Sequence, residues 1–148
     1  MARKIRLAAR ALILKDDRLL LVNAWRDNRL ELWCAPGGGA ELHQSLPENL
    51  AREVYEETGL SVTVKAPALI NEFHDPNSDF HQVEIFFRCE AENDLPDSWQ
   101  DTENVVNKRR YFSRKEVEEL NVRPKSLADI AWNQDAPLSY DALEPILR

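Results

Sequence analysis

Three glutamates occur within five consecutive residues of this chain, at Glu53, Glu56 and Glu57. A helix turns by about 100° per residue, so these spacings place all three carboxylates on one face. Like charges at these spacings repel one another, and a divalent cation would offset the repulsion. A ligand set made only of oxygen favours magnesium or manganese over zinc, which prefers His and Cys. The pattern therefore predicts a metal site, with a solvated acidic helix face as the alternative.

The flanking residues predict where this helix begins and ends. Ser45 followed three residues later by Glu48 is typical of a capping box, and Pro47 falls in the first turn, where proline is tolerated. Gly59 suits the left-handed position just after the last turn. An apolar side should anchor the helix to a core, and we expect it to consist of Leu50, Ala51, Val54 and Tyr55.

A glycine run precedes the helix, and the stretch from Gly38 to Leu60 resembles the signature of the Nudix hydrolase family. That signature is G-x5-E-x7-R-E-U-x-E-E-x-G-U, in which U is an aliphatic residue. Eight of its nine fixed positions match, namely Gly38, Arg52, Glu53, Val54, Glu56, Glu57, Gly59 and Leu60. Gln44 replaces the isolated glutamate, which removes one expected negative charge.

The resemblance implies an α/β fold of the Nudix type, an α/β/α sandwich with a mixed β-sheet between helices. It implies hydrolysis of a diphosphate linkage in a nucleoside diphosphate derivative, with Mg²⁺ or Mn²⁺ as cofactor. By the same resemblance, Glu53, Glu56 and Glu57 would bind the metal, together with the carbonyl of Gly37. Glu53 would also polarise the attacking water, and Arg52 would orient a neighbouring carboxylate. All of these roles are inferred from the resemblance to the family.

Gln44 keeps a second interpretation open. An amide lacks the charge of the family's glutamate, so the chain could be a catalytically impaired module that binds nucleotides without cleaving them. His43 stands where many relatives have glycine, which restricts the backbone of the same loop. A third interpretation is a structural domain whose acidic helix is only surface.

A carboxylate from a later loop completes the metal site or acts as base in many Nudix relatives. The segment 93–107 lacks periodicity and predicts such a loop, in which Glu103 is the candidate. A solvated loop acid is the alternative.

Aromatic residues and loop residues are the candidates for contacts with the substrate. Trp25 and Trp33 flank the polar stretch 26–29 and are candidates for stacking a base, although core packing is the default for tryptophan. The segment 71–80 is rich in turn formers and predicts a surface loop that contains His74 and Pro76. Some family members that cleave ADP-ribose carry a proline about sixteen residues past the signature, where Pro76 lies, although an ordinary turn is the alternative. His74 or His81 could contact substrate, with exposed or strand-face histidines as the alternative.

Apolar runs at 5–14 and 19–25 predict a hairpin, followed by a short strand through Trp33 and Cys34. Further strands are expected at 60–64 and 81–89, and a short capped helix at 113–120. The C-terminal part is expected to pack helices on the body through Trp132, Tyr140, Leu143, Ile146 and Leu147. The basic residues interleaved near the N-terminus predict the polar face of an edge strand, and they are Arg3, Lys4, Arg6 and Arg10.

Composition limits the class of protein. With 148 residues, 43% hydrophobic and 30% charged, we expect one globular domain over 1–148. The net charge of −7 argues against an extended nucleic-acid surface but allows a small phosphorylated substrate. No apolar run is long enough for a membrane span and no leader is recognisable, so cytoplasmic localisation is expected. Cys34 and Cys89 should be reduced core thiols, and a homodimer is compatible with the sequence.

Overall fold

The computed structural model describes residues 4–25, 27 and 29–146, with the backbone alone at Arg29. The N-terminal half contains β1 (Arg6–Lys15), β2 (Arg18–Asn23), a 3-10 turn (Arg29–Glu31), β3 (Leu32–Cys34), β4 (Gly37–Gly39), α1 (Leu46–Thr58) and β5 (Val62–His74). The C-terminal half contains β6 (His81–Ala91), β7 (Arg109–Ser113), α2 (Arg114–Glu119), β8 (Asn121–Val122), α3 (Leu127–Trp132), β9 (Ser139–Tyr140) and β10 (Glu144–Pro145).

The strands form one mixed sheet in the order β10-β5-β6-β1-β2-β3-β8, with β4 paired to β1, β7 to β2 and β9 to β5. Strand β1 runs parallel to β6 and antiparallel to β2. The predicted hairpin is confirmed, and its turn residues Asp16 and Asp17 both have positive φ, as a tight hairpin with the twist of the strands requires.

Two cores lie on opposite faces of the sheet because successive side chains of a strand alternate. Leu20 packs on the face that α1 covers, whereas its neighbours Leu19 and Leu21 pack on the face covered by α2 and α3. The first core also contains Ala9, Ala11, Ile13, Leu50, Val54 and Phe87, and the second contains Phe86, Phe112, Val117 and Leu127. The predicted sandwich, with a mixed sheet between helices, is confirmed.

Helix α1 begins and ends where its sequence predicts. The Ser45 hydroxyl accepts the backbone N–H of Glu48 at 3.2 Å, and Gly59 caps the C-terminus with φ 78°. The capping box is only half formed, because the Glu48 carboxylate accepts the Ser45 hydroxyl proton. Tyr55 was wrongly expected on the apolar side: it is 60% exposed, since Leu50 and Val54 already face the sheet and the next residue turns away from it.

The prediction of an N-terminal edge strand is wrong. Strand β1 lies inside the sheet between β6 and β2, and Arg10 is inward-facing, with its Nε 2.6 Å from Glu84 Oε2. Arg3 lies outside the described residues. The charge of Arg10 is tolerated in the sheet because a carboxylate on the neighbouring strand neutralises it.

Strand β5 is longer than its sequence indicates. It continues to His74, so residues 71–74 are paired with β6 and the surface turn is confined to 75–80. Irregular pairing between Val64 and Leu69, around Pro67, interrupts the ladder in the middle of β5. Because of this break, the alternation of apolar and polar residues does not reveal that β5 is one continuous strand.

The expectation that helices of the C-terminal part pack on the body is partly right. The capping box of Ser113 and Glu116 starts α2 as predicted, and Trp132 lies in α3. The chain then forms β9 and β10, which add parallel pairs to β5, while Leu147 lies outside the described residues. Every helix in the described ranges is too short or too polar to cross a bilayer.

Candidate active site

A cluster of three carboxylates lies on one side of α1. One oxygen from each of Glu53, Glu56 and Glu103 falls within 4.8 Å of the others. The helix supplies the first two and the loop between β6 and β7 supplies the third. A donor set made of carboxylate oxygens fits a hard divalent cation such as Mg²⁺ or Mn²⁺. The structure thus brings the loop acid expected from the sequence to the signature helix.

Glu57 shares the helix face but is not part of this cluster. Its Oε2 accepts the backbone N–H of Gly37 at 3.2 Å, and the residue is only 8% exposed. Burial raises the pKa of Glu57 to about 8, against the opposing effects of the Arg10 charge and the Gly37 N–H. Glu57 thereby joins α1 to the glycine turn, which consists of Gly37, Gly38 and Gly39.

Glu53 is 6% exposed, and its environment favours the protonated form. Burial is the largest cause of its raised pKa, followed by the charge of Glu103, while Arg52 acts in the opposite direction. Arg52 Nη1 lies 3.5 Å from Glu53 Oε1 and 3.2 Å from Glu56 Oε1. Its Nη2 donates to Asn49 Oδ1 at 3.0 Å, which fixes the guanidinium. Arg52 therefore contacts both helix carboxylates of the cluster.

The glycine turn fits tightly between β1 and α1. A Cβ at Gly37, where φ is 151°, would lie 2.1 Å from the carbonyl oxygen of Ala9. A Cβ at Gly38 would lie 2.7 Å from the carboxylate of Glu53. The Gly37 carbonyl, expected to face a metal, accepts from Arg10 Nη1 at 3.3 Å. Gly38 thus leaves the space that the Glu53 carboxylate occupies.

Asp101 organises the loop that carries Glu103. Its carboxylate is 4% exposed; Oδ1 accepts the N–H of Glu103 at 3.1 Å, and Oδ2 accepts those of Val105 and Val106 at 3.0 and 2.9 Å. Sequence reasoning missed this residue. The signal was present, because an aspartate in a stretch rich in turn formers often accepts the backbone N–H two residues later, as in an Asx-turn.

The same loop is attached to the C-terminal end of α1. The indole N–H of Trp99 donates to the carbonyl of Glu57, and the guanidinium of Arg109 donates to the carbonyl of Thr58. Arg109 also stacks on the Trp99 ring, with its Cζ 3.9 Å from the ring centroid. These donors satisfy helix carbonyls that have no partner inside α1. The loop and the signature helix are thereby held together.

A cavity of about 570 Å³ opens beside the carboxylates. The glycine turn, Glu57 and Glu103 line one part of it, and Trp25 lines the wall. Other lining residues went unnoticed in the sequence, among them Arg10, Asn71, Phe73, Phe80, Gln82 and Glu84. Strand pairing, rather than any local motif, brings these side chains together.

Four of the candidate substrate contacts do not line the cavity, namely Trp33, His74, Pro76 and His81. Trp33 does not line the cavity and packs edge-on against Phe112, with ring centroids 5.0 Å apart. His74 ends β5 with its ring 6.1 Å from that of His81, and Pro76 is exposed in the turn that follows. Neither His74 nor Pro76 lines the cavity.

Cys34 and Cys89 are free thiols, and burial raises the pKa of each to about 12.

The chain is similar in sequence to curated proteins. Diphosphoinositol polyphosphate phosphohydrolase 3-alpha of Mus musculus is 32% identical over 98 residues, which cover 66% of this chain and 56% of that protein. The chain thus spans about half the length of the curated relatives it matches.

Solved structures share the fold. A NUDIX hydrolase from Nitrosomonas europaea superposes with a TM-score of 0.74 at 22% identity, covering 88% of this chain and 90% of the other. An ADP-ribose pyrophosphatase from Streptococcus suis gives 0.68 at 21% identity, covering 93% and 100%. The family model described as the NUDIX domain matches residues 4–132. The chain therefore belongs to the Nudix family.

Proposed function

We propose that this protein hydrolyses a diphosphate linkage in a nucleoside diphosphate derivative, with Mg²⁺ or Mn²⁺ as cofactor. The observation that carries the proposal is the convergence of Glu53, Glu56 and Glu103 within 4.8 Å, beside the cavity. The names of the mouse relative and of the Streptococcus suis structure both describe hydrolysis of a diphosphate, which supports the reaction class.

Glu53, Glu56 and Glu103 would hold the cation, and Glu57 stays in the proposed ligand set as the remaining signature carboxylate. When bound, the metal would supply positive charge that stabilises the phosphate oxygens as the anhydride bond breaks. Glu53 would polarise the attacking water, for which its buried position beside Gly38 suits it. Glu103 is the second candidate for this base.

Arg52 would keep the carboxylates in place while the reaction proceeds. Its guanidinium contacts Glu53 and Glu56 together, so it fixes their relative position. Asp101 would do the same for Glu103 through the loop backbone. A displacement of about 1 Å in such groups lowers rates strongly, because the reacting atoms must be aligned.

The test is a panel of diphosphate substrates incubated with MgCl₂, with products separated by chromatography. The panel contains ADP-ribose, a sugar nucleotide, a dinucleoside polyphosphate, an oxidised nucleoside triphosphate and a diphosphoinositol polyphosphate. Glu53→Gln should lower kcat by about 10²–10⁴ on the best substrate, with an unchanged circular dichroism spectrum. Glu118→Gln, at an exposed carboxylate on α2, is the matched control. Full activity of Glu53→Gln would reject the proposal.

A nucleotide-binding module without turnover is the second candidate, favoured by Gln44. Gln44 is exposed in the turn before α1, and its neighbour His43 adopts φ 69°, a conformation that suits glycine better. Calorimetry would then show nucleotide binding without release of phosphate or monophosphate at any magnesium concentration. Restoring the charge with Gln44→Glu should raise activity if its loss is what limits the reaction.

A further inference from the structure

A row of aligned residues crosses the sheet away from the glycine turn. Gly39 pairs with Ala8, Ala8 with Glu84, and Glu84 with Asn71. Adjacent strands lie about 4.8 Å apart, so three steps place Asn71 about 14 Å from Gly39. The row therefore connects the region of the carboxylate cluster with the far end of the cavity, a length that a ribose and a base can bridge together.

Asn71 contributes a buried amide to the lining of this cavity. The residue is 1% exposed and lines the cavity, and its Nδ2 donates to Glu144 Oε1 at 3.4 Å. That contact fixes the amide so that Oδ1 is directed elsewhere, and Oδ1 has no hydrogen-bond partner among the described residues. A buried acceptor without a partner is unfavourable, which makes a ligand N–H its natural complement.

Glu84, the neighbour of Asn71 in this row, is already hydrogen-bonded through one of its carboxylate oxygens. Glu84 Oε2 accepts from Arg10 Nε at 2.6 Å and from Gln82 Nε2 at 3.2 Å. Asn71 Oδ1 differs from it in being a buried acceptor for which the described residues provide no partner. Phe73 and Phe80 line the same end of the cavity with ring centroids 5.7 Å apart, and they supply flat apolar surface.

The charge of the cavity argues against a polyphosphorylated ring in this place. Its lining includes three arginines but five carboxylates, and Arg10 is already paired with Glu84. A ring that carries many phosphates needs an excess of cations around it. A neutral heterocycle that presents an N–H donor fits both the charge and the unpaired acceptor.

We propose that Asn71 is a specificity-determining residue whose Oδ1 accepts an N–H of the substrate's nucleobase. The inference rests on the proposed function, since it assigns the organic part of the same substrate. It distinguishes this chain from its mouse relative, whose name describes an inositol polyphosphate.

The test compares wild type with Asn71→Leu, a substitution of similar size that removes the acceptor. Two substrate pairs are used: ADP-ribose with its N6,N6-dimethyl analogue, and UDP-glucose with its N3-methyl analogue. For the parent compound of the preferred pair, Asn71→Leu should raise KM about five- to tenfold with kcat within about twofold. Methylation should raise the wild-type KM similarly, and the variant should not distinguish parent from analogue. Asn77→Leu, at an exposed position in the turn after β5, is the matched control.

An unchanged KM in Asn71→Leu, or an equal preference of wild type for parent and methylated substrate, would overturn the inference. The wild-type comparison of parent and analogue decides the matter even if Asn71→Leu does not fold. Preferred hydrolysis of a diphosphoinositol polyphosphate would also overturn it while leaving the proposed reaction intact.

Failure of the proposed function gives a different result. If no substrate is hydrolysed, calorimetry with AMP and UMP tests the subsite alone. Binding that Asn71→Leu weakens would keep the assignment of Asn71 and reject hydrolysis, whereas absence of binding to wild type would reject both.

Discussion

The carboxylate of Asp101 accepts the backbone N–H of Glu103 at 3.1 Å, so one buried acid fixes the position of another acid two residues away. Because Asp101 also holds the N–H groups of Val105 and Val106, the loop closes around it. Glu103 is thereby held within reach of Glu53 and Glu56 on a helix 50 residues earlier in the chain.

Asp101→Asn should weaken Mn²⁺ binding by about tenfold or more, because an amide NH₂ would face backbone N–H groups and loosen the loop. Isothermal titration calorimetry measures the change. If Asp101 acts through Glu103, the same substitution should have little further effect in a Glu103→Gln background. Equal losses in both backgrounds would contradict this role.

Gly38→Ala should reduce hydrolysis strongly, because the new Cβ would meet the Glu53 carboxylate at 2.7 Å and displace it. Gly39→Ala is the matched control: its nearest contact outside neighbouring residues would be Arg6 Nη2 at 3.6 Å, an ordinary van der Waals distance. Steady-state kinetics on the best substrate distinguishes the two variants. Equal activity of Gly38→Ala and Gly39→Ala would show that Glu53 does not need this space.

Mg²⁺ or Mn²⁺ should raise the thermal unfolding temperature of wild type, since binding to the folded state alone stabilises it. The gain is about 2.7 kcal/mol at a metal concentration of 100 Kd. Differential scanning calorimetry should show a much smaller rise for the Glu53→Gln, Glu56→Gln double variant. The Glu118→Gln variant should respond as wild type does. Buffer that contains EDTA and no divalent cation gives the baseline unfolding temperature.

Leu50→Ala should lower the free energy of unfolding by about 2–5 kcal/mol, because Leu50 is fully buried between α1 and the sheet. Tyr55→Ala, on the exposed side of the same helix, should change it by much less. Urea denaturation of both variants measures the difference. A larger loss at Tyr55 would contradict the assigned apolar face.

A pH dependence is expected at the pair of Glu72 and Tyr140. The hydrogen bond from the Tyr140 hydroxyl, and then that from His81, lowers the pKa of Glu72 below its ordinary value of 4.5. Its contribution to stability is therefore present above pH 4.5 and is lost as the pH falls through the lowered value. Tyr140→Phe should lower the unfolding temperature at pH 7, and the difference from wild type should shrink in acid. A difference that is independent of pH would exclude this origin.

Local sequence information predicted α1 well. Its caps at Ser45 and Gly59 and the spacing of its glutamates act over a few residues, where helix geometry alone decides which side chains share a face. The same locality explains the hairpin between β1 and β2 and the capping box that starts α2. The family resemblance extended this short stretch to the correct fold.

Contacts between distant segments could not be obtained in this way. Arg10 is shielded from water because β6 and β2 flank its strand. Glu57 contacts Gly37 rather than Glu53 because of how the glycine turn packs on α1. Trp33 and Trp25 look alike in sequence, yet only Trp25 reaches the cavity.

The sequence by itself therefore determined the acidic helix, its caps and the family to which they belong, because these depend on periodicity and on residues close in the chain. Only the tertiary structure decided that Glu103 meets Glu53 and that Asn71 faces the cavity. Those neighbours are set by strand order, register and loop closure, which combine side chains that no local spacing relates.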